Sequence, residues 1–320
     1  MITLGELKEH FATMTVNQGL RGSGSPLGSI VHWVVTDILS YADYWWNQGS
    51  DTFSTVSAQA EYFLNNRVSG DKIWGMFDQT NDRPLHKKTL SYLYSVDPTP
   101  TDSGNASFWA YVGQEECQAV PTVAGVATVV SSSAQDSGIE VMLKGKSGGI
   151  EYYEALSLTG IGTVTGSVSW DASSPISISL ASKTAGVVTV ARGAITVGQI
   201  PPGHLRVQRP RIRLMSVPDS VSTIHYFFYK RSLPLVRDSE IVDLPDEAFK
   251  ALRFGVEEIT YQLVGKLQAA NNAYNKRKEA IAELISWSER DVAGNEIKIY
   301  KEPLPFAYRL PTTINGSVTV

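Results

Sequence analysis

Leu244-Pro245-Asp246-Glu247-Ala248-Phe249 opens a run of helical apolar spacing that continues to Arg290. Proline suits the first helical position because its missing N–H has no partner there, and the two acidic residues favour the positive end of the helix dipole. The apolar residues that follow recur every three or four positions and share one helix face: Phe249, Leu252, Val256, Ile259, Leu263 and Leu267. This apolar face predicts that the helix takes part in assembly.

An unbroken helix over this run would extend roughly 65 to 70 Å, which is more than a compact domain needs. We expect a break at Asn271-Asn272, because asparagine competes for backbone hydrogen bonds inside a helix. Two interpretations stay open, a helical hairpin packed within its own domain and a helix pair that contacts neighbouring subunits. The second half adds further interface candidates, namely Tyr274, Ile281, Leu284 and Trp287.

Length and composition exclude several classes of protein. The 320 residues predict two or three domains, and a formal net charge of −4 argues against an electrostatic nucleic-acid binder. The only cysteine, Cys117, excludes an internal disulfide framework and indicates a reducing compartment. No basic leader and no apolar window of about 18 residues is found, so we expect neither secretion nor a membrane.

The first part of the chain predicts two helices and a small antiparallel sheet. The helices cover Leu4 to Met14 and a longer stretch that starts at Ser25 as N-cap and ends near Asn47. Short apolar and aromatic runs separated by turn residues predict the strands. These runs lie at 55–64, 72–77, 89–94, 107–112, 206–214 and 223–230.

Between 119 and 202 the composition shifts to Ser, Thr, Gly and Val, with turn signals about every 8 to 12 residues, which is typical of a β-sandwich. We therefore predict an α+β fold, a helical bundle with a small antiparallel sheet plus an inserted all-β immunoglobulin-like sandwich. The predicted domains are 1–118 with 203–300, the insertion 119–202, and an extended C-terminal tail at 301–320. An insertion of this kind is tolerated where its two ends lie close together.

No catalytic, cofactor-binding or metal-binding motif is found in the sequence. The five histidines are far apart, and none forms a metal-ligand pair at helical spacing. Asp136 reads as a turn residue, and Glu151 and Glu154 would lie on opposite faces of a strand rather than act as paired acids. We expect that the protein is not an enzyme and that it needs no cofactor.

Arg209, Arg211 and Arg213 alternate with Pro210 and Ile212, so an extended backbone directs all three guanidinium groups to one face. One interpretation is contact with a phosphate backbone or with an acidic neighbouring subunit. The other is a charged solvent face that protects a sheet from aggregation. Both interpretations stay open on the sequence alone.

Seven short segments follow one another in a characteristic order: Tyr44-Trp45-Trp46-Asn47, Ser57-Ala58-Gln59-Ala60-Glu61-Tyr62-Phe63-Leu64, Asp71-Lys72-Ile73-Trp74, Arg83-Pro84-Leu85-His86-Lys87-Lys88, Gly104-Asn105-Ala106-Ser107-Phe108-Trp109, Tyr226-Phe227-Phe228-Tyr229-Lys230-Arg231-Ser232-Leu233-Pro234-Leu235 and Asp243-Leu244-Pro245. This order resembles the head-to-tail adaptor, or connector, proteins of tailed bacteriophages. The resemblance covers residues 30–117 and 203–290 by pattern, without a unique motif. The Ser/Thr-rich segment resembles the immunoglobulin-like insertions of phage structural proteins.

The resemblance implies a virion protein of the neck, made in the host cytoplasm and placed beneath the portal as a homo-oligomeric ring, usually a dodecamer. It implies contact with the portal through the C-terminal segment, which adds Leu304, Phe306 and Tyr308 to the interface candidates. A downstream tail or neck protein is the other expected partner. DNA is expected only as passing cargo, and an acidic subunit suits a channel that must not grip the duplex.

Two alternatives remain. The first is a carbohydrate- or receptor-binding virion protein that acts through the sandwich, where Tyr152, Tyr153 and Trp170 are the available aromatic residues. The second is a glycoside hydrolase with an accessory sandwich, which would need two carboxylates that converge on a cleft. The sequence shows no such pair of carboxylates.

Overall fold

A computed structural model describes residues 3–15, 26–99, 102–235 and 237–290. These residues form fourteen β-strands in three sheets and five α-helices. The predicted fold class is therefore wrong, because a chain with this strand content is mostly β and not a helical bundle with a small antiparallel sheet.

The helices are α1 (Leu4–Thr15), α2 (Leu27–Leu39), α3 (Leu90–Val96), α4 (Phe249–Leu263) and α5 (Leu267–Arg290). The strands are β1 (Gln48–Ser54), β2 (Glu61–Phe63), β3 (Val68–Asp78), β4 (Arg83–Lys87), β5 (Phe108–Glu115), β6 (Gly125–Ser131), β7 (Glu140–Ser147), β8 (Ile150–Ser157), β9 (Val164–Trp170), β10 (Ser177–Leu180), β11 (Val188–Arg192), β12 (Ile195–Ile200), β13 (Arg209–Met215) and β14 (Thr223–Lys230). The chain divides into two compact units, a helical unit of residues 1–48 and 229–320 and a β unit of residues 49–228.

In the helical unit, α4 and α5 form a hairpin that packs with α1 and α2 around one apolar core. The break between α4 and α5 lies at Gly265 and not at Asn271-Asn272, which are exposed residues inside α5. Gly265 has a φ of +74°, a left-handed conformation that ends a helix at little cost for glycine. Its N–H donates to the carbonyl of Gln262 at 3.1 Å.

Helices α2 and α4 approach each other closely at Gly255. A Cβ atom added at this position would overlap Cγ1 of Val34 and would lie 3.1 Å from Cδ of Arg277. The position therefore accepts only glycine without repacking, although glycine is unfavourable inside a helix by roughly 1 kcal/mol. This close approach brings the side chains of three helices together around Arg277.

The β unit contains a seven-stranded sheet with the order β1-β14-β3-β4-β5-β13-β2. It is a mixed sheet, because β4 and β5 run parallel while the neighbouring pairs β3–β4 and β5–β13 run antiparallel. Helix α3 stands where the aromatic run at 89–94 predicted a strand. Thr89 caps this helix, since its hydroxyl accepts from the N–H of Tyr92, and Tyr92 packs edge-on against Phe108.

The other two sheets, β10-β7-β8 and β12-β11-β6-β9, share one core. Alternate residues of their strands point into this core, as the burial of Val141 and Leu143 in β7 and of Val188 and Val190 in β11 shows. Trp170 lies at the centre and is fully buried. Strands β6 to β12 all lie within 119–202, the segment whose composition and turn signals predicted a β-sandwich.

Candidate interaction surfaces

The three alternating arginines of β13 do not form an exposed positive stripe. Arg211 makes ion pairs with Glu61 at 3.4 Å and with Glu115 at 3.3 Å, on the two strands beside it. Arg213 is buried and donates to the carbonyl of Asp97 at 2.9 Å. Both guanidinium groups therefore have partners within the β unit.

Arg209 is the third member of this row, and it is also bonded inside the β unit. Its guanidinium donates to Oε1 of Gln118 at 3.2 Å, and burial lowers its pKa. The acidic partners of the row could not be found by spacing, because Glu61 and Glu115 lie on strands distant in sequence. The expected phosphate or acidic-subunit contact has no exposed guanidinium row to support it.

The helical interface candidates fall into three groups. Leu252, Val256, Ile281 and Leu284 are buried in the core of their own helical unit, and Phe249, Ile259 and Trp287 pack against that core. Leu263 and Tyr274 are exposed. The tail candidates Leu304, Phe306 and Tyr308 lie outside the described residues.

The loop between α4 and α5 carries large apolar side chains that face solvent. Leu263 is 66%, Val264 is 44% and Leu267 is 69% exposed, and we call these three residues the apolar tip. Burying one such leucine is worth roughly 1.5 to 3 kcal/mol, so a cluster of them in water is a cost that an interface would remove. Sequence reasoning identified Leu263 but missed Val264 at the turn.

An ionic cluster joins α2, α4 and α5 in the helical unit. The Nη1 of Arg277 lies 2.7 Å from Oδ2 of Asp37, and its Nε lies 2.9 Å from Oε2 of Glu258. Burial raises the pKa of Glu258, and the guanidinium of Arg277 opposes that rise. The guanidinium therefore holds two carboxylates that would otherwise be poorly solvated.

The hairpin of β7 and β8 ends in exposed apolar residues. Ile150, Tyr152 and Tyr153 are all exposed, and Nζ of Lys144 lies 5.4 Å from the ring centre of Tyr153. Trp170, the third aromatic residue considered for carbohydrate contact, is fully buried and cannot stack on a ligand. Of the three aromatic residues considered for carbohydrate contact, Tyr152 and Tyr153 are therefore the two that offer surface to a ligand.

The acidic residues of the two smaller sheets have structural partners. Asp136 is 1% exposed and accepts hydrogen bonds from Ser131 at 2.5 Å, Ala185 at 2.7 Å and Gly186 at 3.0 Å. Burial acts to raise the pKa of Asp136, but these three donors outweigh it and the pKa is lowered. Asp136 therefore joins β6 to the segment before β11 through hydrogen bonds, in addition to its place in a turn.

Glu154 and Glu151 lie on opposite faces of β8. Oε1 of Glu154 accepts from the backbone N–H groups of Ser167 at 2.5 Å and Val168 at 3.1 Å, which connects the edges of β8 and β9. Glu151 is exposed and lies 3.9 Å from Nζ of Lys144. The two carboxylates do not converge on a common point.

Among the described residues, no group of three or more His, Cys, Asp or Glu side chains could hold a metal ion. Burial raises the pKa of the Cys117 thiol to about 12, so it stays protonated at neutral pH. None of the described helices is long and apolar enough to cross a membrane. No protein-family model and no curated protein matches the chain.

Proposed function

We propose that the chain is a structural virion protein, a head-to-tail adaptor whose copies form a ring between the portal and the tail of a bacteriophage, around the passing DNA. The order of segments that resembles the adaptors supports this proposal, although the β content of the chain exceeds what the resemblance implies. The observation that supports this proposal most directly is the apolar tip at the end of the α4–α5 hairpin.

The tip is built as a contact surface and not as part of the core. The hairpin is anchored at its base by buried residues such as Leu252, Ile281 and Leu284, while its end holds three large apolar side chains in water. A cluster of exposed apolar side chains is typical of a site that another protein covers. We propose that the tip of each copy packs against the neighbouring copy, in a heterologous contact that closes a ring.

Acidic substitutions at the tip test this role. We expect the double variant Leu263→Glu and Leu267→Glu to fold normally and to assemble roughly 10- to 100-fold more weakly per leucine, because each loses the burial of an apolar side chain. Assembly is measured by light scattering alone and by co-sedimentation with portal rings.

The matched control is Lys266→Gln with Gln268→Glu, which changes the charge by the same amount beside the same turn at two exposed residues. Assembly by this control at wild-type strength, together with weak assembly by the leucine variant, supports the proposal. Equal assembly by both variants would show that the tip is not an interface.

A second function, glycan or receptor binding through the smaller sheets, is favoured by the exposed Tyr152 and Tyr153. These side chains leave adjacent positions of one strand and so point to opposite faces, which limits a ligand to one ring on each face. A glycan array with the full chain and with Tyr152→Ala distinguishes this function. Micromolar or tighter binding that the substitution removes would favour it over the adaptor.

A further inference from the structure

Strand β1 leaves one side of the seven-stranded sheet open. It is the first strand in the order of the sheet and pairs with β14 on its inner side, and no strand within the described residues pairs with its outer side. Beyond its end, the N–H of Thr55 continues inward and donates to the carbonyl of Ser222 at 2.8 Å. The N–H of Thr52 instead donates to Oδ1 of its neighbour Asp51 at 2.8 Å.

These two hydrogen bonds give the direction of the backbone groups along β1. Strands β1 and β14 run antiparallel, because Asn47 contacts Lys230 at one end and Thr55 contacts Ser222 at the other. In an antiparallel pair, successive residues turn their N–H and C=O groups alternately toward and away from the partner strand. The backbone groups of Ser50, Thr52 and Ser54 therefore face the open side. A further strand could pair directly with Ser50 and Ser54, and with Thr52 once its N–H exchanges Oδ1 of Asp51 for a carbonyl of the added strand.

The open edge has few of the features that usually prevent pairing with another chain, and the exception is the carboxylate of Asp51, which accepts from the N–H of Thr52. Its sequence, Gln48-Gly49-Ser50-Asp51-Thr52-Phe53-Ser54, contains no proline and no lysine, and it is seven residues long. The opposite edge of the same sheet, β2, has only three residues, which is itself a protection. An open edge of this length is a template for an added strand.

The chain also contains a segment with the sequence of a donor strand, Glu296-Ile297-Lys298-Ile299-Tyr300-Lys301. It lies outside the described residues, and its alternation of apolar and polar side chains has the period of a strand with one buried face. Its six residues are one fewer than the seven of β1. Five residues separate it from the end of α5 and can span at most about 18 Å.

The two faces of this segment fit the two faces of β1. Phe53 points to the face of the sheet that carries the apolar core. The centre of its ring lies 4.9 Å from that of Tyr62 and 6.0 Å from that of Tyr226. Ile297 and Ile299 would extend this apolar row. On the other face, Lys298 and Tyr300 would stand beside the small polar side chains of Ser50 and Thr52.

We propose that residues 296–301 of a second copy of this chain pair with β1 as an eighth strand of the sheet. The inference rests on the proposed function, because a closed ring gives every copy one donor segment and one acceptor edge, and leaves neither unpaired. The main-chain hydrogen bonds supply affinity, and the isoleucine face selects the register.

Disulfide cross-linking between two singly substituted chains tests the pairing. One chain carries Lys298→Cys, and the other carries Ser50→Cys, Thr52→Cys or Ser54→Cys in turn, so that the three acceptors cover the possible registers. Mixing and oxidation should give a cross-linked dimer for at least one acceptor, and none for Val123→Cys, an exposed control outside the sheet. The native Cys117 is buried and can stay in place.

The mixtures are oxidised at a concentration at which the wild type assembles, on portal rings if these are required as a template. Absence of the dimer with all three acceptors would overturn the proposal. So would a cross-link found only within one chain when Lys298→Cys and an acceptor cysteine are placed together, because the occupant would then be the chain's own segment.

A proline substitution separates this inference from the proposed function. Thr52→Pro removes an N–H that faces the open side and leaves the hydrogen bonds to β14, whereas Thr52→Ala keeps the N–H. We expect Thr52→Pro to assemble at least tenfold more weakly than Thr52→Ala at similar melting temperature. Rings of wild-type strength from Thr52→Pro would refute the strand pairing and leave the adaptor in place, and a wild type without rings would refute the adaptor itself.

Discussion

Replacing Asp136 by alanine should lower the free energy of unfolding of the β unit by about 4 kcal/mol, because three buried donors lose their acceptor at once and each unpaired donor costs roughly 1 to 3 kcal/mol. The donors are the hydroxyl of Ser131 and the N–H groups of Ala185 and Gly186. Urea unfolding gives the size of the loss. Hydrogen exchange of β6 and β11 shows whether the loss lies in these sheets.

Two variants serve as controls for this result. Glu140→Ala removes an exposed carboxylate from β7 and should change the free energy of unfolding by less than about 0.5 kcal/mol. Ser131→Ala removes one of the three donors and should cost less than the loss of Asp136. A loss below about 1 kcal/mol for Asp136→Ala would contradict the account of this buried network.

The same carboxylate predicts a dependence on pH. Because its pKa is lowered in the folded state, its contribution to stability is present above the unfolded value, which is near 3.9, and is lost as the pH falls through the folded value. The wild type should therefore lose stability below about pH 4, and Asp136→Asn should lack this part of the loss. Denaturation curves between pH 2 and pH 6 check the difference.

Replacing Arg277 by methionine should lower the free energy of unfolding of the helical unit by about 3 kcal/mol. Methionine keeps most of the apolar stem but leaves Glu258 and Asp37 without their cation, and breaking such a buried pair costs roughly 3 to 5 kcal/mol. The lower end applies, since the side chain of Asp37 is 32% exposed. Thermal and urea unfolding measure the loss, with Arg277→Lys as the control that keeps the charge.

The pH profile of this variant separates lost charge from lost packing. The pKa of Glu258 is raised by burial even with Arg277 present. A raised pKa in the folded state gives stability that is fully present below the unfolded value and is lost as the pH rises through the folded value. Arg277→Met should therefore regain stability between pH 7 and pH 4, and a flat profile would mean that the loss comes from packing.

Regular periodicity predicted the elements that local sequence determines. Helix α1 and strand β14 lie where the apolar period placed them, because one buried face alone fixes their pattern. Strands β6 to β12 lie within the segment 119–202, where the composition predicted a sandwich. Apolar periodicity did not predict the short elements. Strand β4 contains Pro84 and only five residues, and α3 reads as a strand until the cap at Thr89 and the packing of Tyr92 on Phe108 are known.

The interaction surfaces were less predictable, because they depend on contacts between distant segments. The spacing of the arginines was visible in the sequence, but the carboxylates that neutralise Arg211 come from β2 and β5. The helix break was expected at asparagines, whereas the backbone of Gly265 makes it. An amphipathic stripe also cannot show which apolar residues its own unit buries, so Leu252 and Leu263 looked equivalent.

If copies of this chain assemble into a closed ring, the assembly has a defined mass. Native mass spectrometry of the purified chain, with and without portal rings, measures that mass. We expect one discrete assembly of many copies, with every copy equivalent. A monomer at all concentrations, both alone and in the presence of portal rings, would contradict it.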